Sequence, residues 1–209
     1  MATNCWTTAA HALDYLARAD RIPHRTEGEA AVLAQVPFGA KRILDLGTGD
    51  GRLLALLKCD RPQAQGIALD FSATMLAQVS ARFVGDPTVK IVNHDLALPL
   101  PQLGVFDAIV SSFAIHHLSH ERKRSLYQEI FDRLIPGGIF CNLEHVASPT
   151  PNLHRQFMET IGYSVEEEDP SNQLLDVKTQ LGWLRELGFA DVDCYWKWLE
   201  MALLIGIKP

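Results

Sequence analysis

Cysteine is the first shortage in this chain. The four present, Cys5, Cys59, Cys141 and Cys194, lie far apart and form no C-x-x-C pair. Their spacing suits neither a zinc module nor a disulfide scaffold, so no metal is expected. Two of them stand in apolar stretches, as reduced, buried cysteine does in a cytoplasm. No apolar run reaches the ~18 residues a membrane span needs. The first residues, Met1 to Trp6, offer neither a basic n-region nor an apolar h-region; no secretory signal is visible, and the expected location is cytoplasmic. Repeats, low-complexity tracts and Ser/Gly linkers are missing too. Basic residues are outnumbered, 19 Lys+Arg against 25 Asp+Glu. A formal charge of −6 argues against a broad phosphate-binding face, and so against nucleic acid as a partner. With 209 residues, 47% of them hydrophobic, the chain can bury one sizeable core and is expected to be a single domain, 1–209.

From residue 41 onward, strand-like and helix-like segments alternate, the pattern of a parallel α/β sheet. Strands are expected over 41–46, 65–70, 89–93, 106–112 and 139–146. Helices are expected over 52–58, 73–83, 121–134 and 173–187, with Ser72 and Ser119 as N-caps and Gly85 and the run Pro136-Gly137-Gly138 as stops. The stretch 191–208 reads as two strands with a very short connection, hence an antiparallel hairpin. In a regular strand there, Val192, Cys194, Trp196 and Trp198 would share one face. Two regions depart from the alternation. Residues 1–36 form a helical cap broken at Ile22-Pro23, and residues 147–172 form a lid-like insertion with a helical stretch at 152–162. Its acidic run, Glu166 to Asp169, reads as a solvated loop.

The strongest chemical signal is Asp45-Leu46-Gly47-Thr48-Gly49-Asp50-Gly51, a buried strand running into a loop with glycine at every second position and then into a helix. Glycine permits positive φ and a close ligand approach, and the helix start offers free N–H groups. Asp70 closes the next strand roughly 20 residues on, where a carboxylate can accept from both ribose hydroxyls. A dinucleotide fingerprint would need a third glycine where Arg52 stands.

Here the chain resembles the class I S-adenosylmethionine-dependent methyltransferases, whose first motif is D/E-x-G-x-G-x-G. The likeness continues through Leu69-Asp70-Phe71-Ser72-Ala73-Thr74-Met75-Leu76, His94-Asp95-Leu96, Phe106-Asp107-Ala108-Ile109-Val110-Ser111-Ser112 and Leu134-Ile135-Pro136-Gly137-Gly138, covering roughly residues 40–145 in order. The resemblance implies a Rossmann-like fold: a mostly parallel seven-stranded sheet with a C-terminal antiparallel hairpin and helices on both faces. It implies S-adenosyl-L-methionine as cofactor and S-adenosyl-L-homocysteine as product. Gly47, Thr48, Gly49 and Gly51 would line the methionine and ribose part, with Asp45 supporting the loop or reaching the amino group. Asp70 would bind the ribose, Phe71 and Met75 would pack near the adenine, and Asp95 with Leu96 would hold its edge. Ser111 would border the methionine moiety.

The acceptor side is less legible. His116 and His117, after the fourth strand, are candidates for taking the acceptor's proton, and Glu144 at the fifth strand's tip is a third catalytic candidate. His24, Arg25, His145 and Trp196 are candidate substrate contacts. Methyl transfer asks mainly for alignment and water exclusion, so no triad or metal motif is required. A small-molecule acceptor is the reading favoured. The Ile22-Pro23 break, the Asn172-to-Leu175 helix start and the Gly188-Phe189 to Trp196 ending also resemble the carboxy-S-adenosylmethionine synthases of tRNA modification. That branch uses an arginine where this chain has Glu166 to Ser171. Alternatives are a carboxy-S-adenosylmethionine synthase-like or tRNA-modifying activity, for which Arg122-Lys123-Arg124 is the one dense basic cluster, and a non-catalytic binding domain. Oligomeric state is left open.

Overall fold

The computed structural model describes residues 6, 8–19 and 22–209. Two helices, α1 (Ala9–Ala19) and α2 (Arg25–Gln35), precede the sheet. There follow β1 (Arg42–Leu46), α3 (Arg52–Asp60), β2 (Gln65–Asp70), α4 (Ala73–Arg82), β3 (Val89–Asn93), β4 (Phe106–Ser112), a 3-10 turn (Ile115–His117), α5 (His120–Arg133), β5 (Leu134–His145), α6 (Pro151–Thr160), a 3-10 turn (Val165–Glu167), α7 (Val177–Glu186), β6 (Ala190–Trp198) and β7 (Met201–Ile207). The strands form one seven-stranded sheet in the order β3-β2-β1-β4-β5-β7-β6. Neighbours from β3 to β5 run parallel, while β7 is antiparallel to both β5 and β6. The expected architecture, closing hairpin included, is the observed one.

Each face of the sheet packs its own helices. Val32 of α2, Leu53, Leu54 and Leu57 of α3 and Val79 of α4 join Ile43, Ala68, Val110 and Leu203 in one buried cluster. Leu126, Tyr127 and Ile130 of α5 and Leu181 and Leu184 of α7 join Leu44, Leu69, Ile109 and Leu204 in the other. The strands alternate between the two clusters because successive side chains leave a strand on opposite faces. The chain leaves β1 toward β2 and β3, then returns to place β4 on β1's other side. The loops after β1 and β4 therefore diverge, and their divergence opens a crevice at the carboxyl ends of the strands.

Several sequence expectations need correction. Residues 173–176 are not helical: Asp176 is the N-cap of α7, its carboxylate accepting from Thr179 N–H at 2.8 Å. Pro136-Gly137-Gly138 does end α5, yet it lies inside β5 as an irregularity. Phe106 pairs with Leu134 and Ala108 with Ile139, while Gly137 and Gly138 bond the backbone of Lys208. Ser119 caps α5 as expected, whereas the Ser72 side chain makes no cap bond to α4. The largest correction concerns Trp196. The register of β6 against β7 slips between Cys194 and Trp196, leaving Tyr195 as an extra residue. Such a bulge inverts the alternation, so Val192 and Cys194 pack with the α5/α7 cluster and Trp196 packs with the α2 cluster.

Candidate active site

The crevice holds two adjoining cavities. The first, of about 330 Å³, lies over the loops after β1, β2 and β3. Its wall includes Asp45, Gly47, Thr48, Gly49, Asp70, Phe71, Met75, Asp95 and Leu96, nine of the eleven residues expected there from sequence. Backbone geometry builds it. Gly47, Gly49 and Gly51 all have positive φ (64°, 58° and 81°). A Cβ on Gly47 would lie 2.2 Å from that of Ala114, so the loop could not close against β4's exit with any side chain there. Gly49 N–H donates to Asp70 Oδ2 at 2.9 Å and Ser72 N–H to Asp70 Oδ1 at 2.8 Å. The Asp70 carboxylate is thus clamped, with further acceptor positions on each oxygen. Burial raises its pKa against these bonds. Asp45 is wholly buried and accepts from Thr48 Oγ1 at 2.6 Å, so it does brace the loop. Burial lifts its pKa to about 7.

The other two expected cofactor residues lie behind the wall. Gly51 faces α4: a Cβ there would meet Val79 Cγ2 at 2.7 Å and Phe83 Cε2 at 2.8 Å, so this glycine serves helix packing. Ser111 is fully buried and donates to Leu46 O at 2.9 Å; Ser112 lines the cavity instead.

The second cavity, of about 660 Å³, lies beyond β4 and β5. Its apolar wall comes from Phe113, Phe157, Met158, Ile161 and Met201, its polar wall from histidines and acids. Residues on α1 (His11, Tyr15, Arg18) and on the 147–172 segment (Phe157, Tyr163, Glu168, Asp169) face each other across it. Arg18 bonds the Tyr163 hydroxyl, and His11 Nε2 stands 3.5 Å from Asp169. The run at 166–169 divides accordingly. Glu166 and Glu167 are exposed, as a solvated loop requires, while Glu168 and Asp169 turn inward.

Among the described residues, Trp6, Tyr15, Phe113 and His117 line both cavities. Phe113 holds a left-handed φ of 53° at β4's exit, a conformation a bulky side chain adopts only when its surroundings impose it. His116 borders the second cavity only, with Nδ1 2.6 Å from Glu144 Oε1. Glu144 is fully buried and reaches neither cavity, so it touches the site through His116; burial lifts its pKa to about 7. His145 lines the second cavity, with Nε2 2.9 Å from Glu200. Arg25 lines the first cavity rather than the second and pairs with Glu29 at 3.0 Å. His24 and Trp196 reach neither. His24 is exposed at the start of α2, its ring 4.4 Å from that of Trp198, and Trp196 packs on Gly28 because of the bulge in β6.

Residues 43–138 match the family model described as "Methyltransferase domain". A demethylmenaquinone methyltransferase of Clavibacter sepedonicus is 31% identical over 180 residues, which cover 78% of this chain and 71% of that protein. The chain belongs to the class I S-adenosylmethionine-dependent methyltransferases. This methyltransferase also resembles a trans-aconitate 2-methyltransferase of Methylobacterium radiotolerans (31% identity, 70% of this chain and 55% of that protein). A carboxy-S-adenosyl-L-methionine synthase of Helicobacter hepaticus is 24% identical over 79% of this chain and 75% of its own length. In fold it matches an O-methyltransferase family protein from Burkholderia thailandensis with a TM-score of 0.68 and 18% identity, covering 91% of this chain and 62% of that one.

Atoms in the first cavity fit the cofactor its family uses. Asp45 Oδ1, His94 Nε2 and Ser112 Oγ are buried without a hydrogen-bond partner, and all three residues line this cavity and not the second. Buried polar atoms are ordinarily paired, so a cluster of orphans at a cavity wall marks where a polar ligand belongs. A Cβ at Gly49 would meet nothing within 4 Å. Sequence reasoning missed the supporting residues. Arg52, noted only as a missing glycine, donates through Nε to both oxygens of buried Glu29, which ties α3 to α2 behind the loop. Lys123 is buried and donates to the carbonyls of His116, Leu118 and Gln173, pinning the histidine turn to the segment before α7. Arg122 donates to the carbonyls of Leu96 and Leu98, bracing the loop that carries Asp95. The basic cluster is therefore mostly internal. Only Arg124 is solvated, paired with Glu186. A helix-start run of Lys and Arg carries no sequence signal of such roles.

Proposed function

We propose that this methyltransferase binds S-adenosylmethionine in the first cavity and methylates a neutral, largely apolar small molecule held in the second. The observation that carries the reading is the shared wall at β4's exit, where Phe113 and His117 border both cavities. The cofactor supplies a methyl group already activated on a positively charged sulfur. In this reading the chain's residues do the rest. Asp70 accepts from the ribose hydroxyls through its free acceptor positions. Asp45, with one unpartnered oxygen, receives the methionine ammonium. Phe71 and Met75 pack on the adenine, with Asp95 and Leu96 at its edge. Phe113 and the apolar wall of the second cavity exclude water and align the acceptor. His117 stands at the junction, His145 and His116 on the acceptor side, and Glu144 acts through His116. The α1 cap and the 147–172 segment, in contact through Arg18 and Tyr163, close the acceptor side from solvent. S-adenosylhomocysteine leaves as product.

The choice of acceptor rests on charge. The relatives' names span an apolar quinone and an anionic tricarboxylate. The second cavity carries Glu168 and Asp169 on its wall and Glu167 at its exposed rim, with Arg18 already engaged by Asp14 and Tyr163. Three carboxylates repel an anionic acceptor, while Phe113, Phe157, Met158, Ile161 and Met201 suit a flat apolar one. The tRNA reading loses its basic patch to the interior bonds of Arg122 and Lys123. The carboxylated-cofactor reading finds no arginine in residues 166–171, and the intact, orphan-lined cleft speaks against a non-catalytic domain. The test is a methylation screen with labelled S-adenosylmethionine on paired panels of neutral ring hydroxyls and polycarboxylates. Label is expected in the ring panel; label confined to the polycarboxylates would overturn the choice.

A further inference from the structure

The segment before α7 reaches the junction of the two cavities through Ser171. Ser171 Oγ is 2.9 Å from His117 Nδ1 and 2.7 Å from Asp169 Oδ1. A hydroxyl has one proton to give. Asp169 is a carboxylate and can only accept, so the Ser171 proton is directed to it. Toward His117 the same oxygen must then accept, and Nδ1 carries the hydrogen. That leaves His117 Nε2 as a bare lone pair, and Nε2 is the ring atom that is buried without a partner.

We propose that His117 takes the proton of the acceptor at Nε2, and that Ser171 and Asp169 are positioning residues that hold it in the one tautomer able to do so. The inference rests on the functional reading above and takes a neutral O–H compound as its acceptor. As the acceptor's oxygen lone pair forms its bond to the methyl carbon, the carbon–sulfur pair stays on sulfur. The oxygen–hydrogen pair stays on oxygen, and the proton passes to Nε2. The imidazolium so formed is stabilised by Asp169 through the Ser171 hydroxyl, then loses its proton to water after product release.

The charged and titratable groups around the ring agree with this assignment. His116 flanks it at 3.9 Å between ring centroids, Glu144 faces it from β5 and Asp169 from the segment before α7, while Lys123 of α5 is turned to main-chain carbonyls. Burial foremost, then His116, push the pKa of His117 down, so the resting ring is neutral with one nitrogen lone pair. His116 has a different setting: Nδ1 lies against Glu144 and the ring does not reach the cofactor cavity, so it supports the turn.

The test needs no known substrate. In full-length protein labelled with nitrogen-15 histidine and saturated with S-adenosylhomocysteine, His117 is assigned by difference from His117→Gln. The expected spectrum at pH 7 shows protonated Nδ1 and lone-pair Nε2. Ser171→Ala removes the hydroxyl acceptor for Nδ1–H and keeps the main-chain contact of residue 171 with the ring, and the tautomer ratio should shift by roughly tenfold toward Nε2–H. Ser171→Thr, which keeps the hydroxyl, should restore the wild-type pattern. A wild-type ring already protonated at Nε2, or a ratio unmoved in Ser171→Ala, would overturn the proposal. Calorimetry with S-adenosylhomocysteine on the same samples separates the two levels: lost binding in the wild type would sink the functional reading, whereas retained binding with the wrong tautomer sinks only the relay.

Discussion

The cofactor cleft and the acceptor cavity share a wall but are built by different means. The cleft is shaped by main chain: glycines at positive φ, and backbone N–H groups of Gly49 and Ser72 gathered on the Asp70 carboxylate. Its residues come from consecutive strand ends. The acceptor cavity is made of side chains from α1, β4's exit, β5, α6 and the segment before α7. Its polar wall includes His11 against Asp169 and His145, which is held from behind by Glu200. A cofactor common to a whole family can be met by a fixed backbone shape. An acceptor that differs between members is met by exchangeable side chains on separate segments.

The sharpest way to break this contrast is to loosen one region and ask whether the other notices. Lys123→Met removes a buried ammonium from three carbonyls and should cost about 3 kcal/mol of stability. Hydrogen exchange should rise in residues 113–118 and 171–175, with affinity for S-adenosylmethionine within about threefold of wild type, a change of under ~1 kcal/mol. Exchange that rises equally across Gly47–Gly51 would mean the two regions are one cooperative unit.

A smaller effect sharpens the electrostatics of the cleft. Asp45 has a folded pKa of about 7 against an ordinary 3.8, because burial disfavours its charge. The folded state therefore holds a proton that the unfolded state has released, and stability from this group falls as pH rises from 4 toward 7. Asp45→Asn, which cannot ionise and still accepts from Thr48, should gain melting temperature over wild type, more at pH 8 than at pH 5. An equal gain at both pH values would show that Asp45 titrates normally. Bound S-adenosylmethionine, bringing its ammonium near, should narrow the gap.

The same contrast explains what could be read from sequence. The strand order, the glycine loop and Asp70 were legible because each is encoded by a contiguous pattern whose physics is local: alternation, positive φ, a strand end. The motif places Gly51 and Ser111 on the wall, while packing on Val79 and a bond to Leu46 O take them behind it. One bulge residue, Tyr195, turns Trp196 to the other face, and a strict period of two carries no sign of it. Asp169 belongs to the acidic run 166–169 that reads as a solvated loop, and half of that run is one; Ser171 lies just beyond it. Their partner His117 is more than fifty residues away, |i−j| = 54 for the Ser171 contact, and such pairing carries no local trace.

The most direct test of the account is calorimetric titration of wild type and Asp70→Ala with S-adenosylmethionine and with NAD. Wild type should bind S-adenosylmethionine saturably and NAD not at all. Asp70→Ala should lose charge-assisted hydrogen bonds worth ~1.5–3 kcal/mol each and weaken S-adenosylmethionine at least tenfold, with the circular dichroism of the fold retained. Equal affinity in the two proteins, or saturable NAD binding without S-adenosylmethionine binding, would contradict the cleft described here.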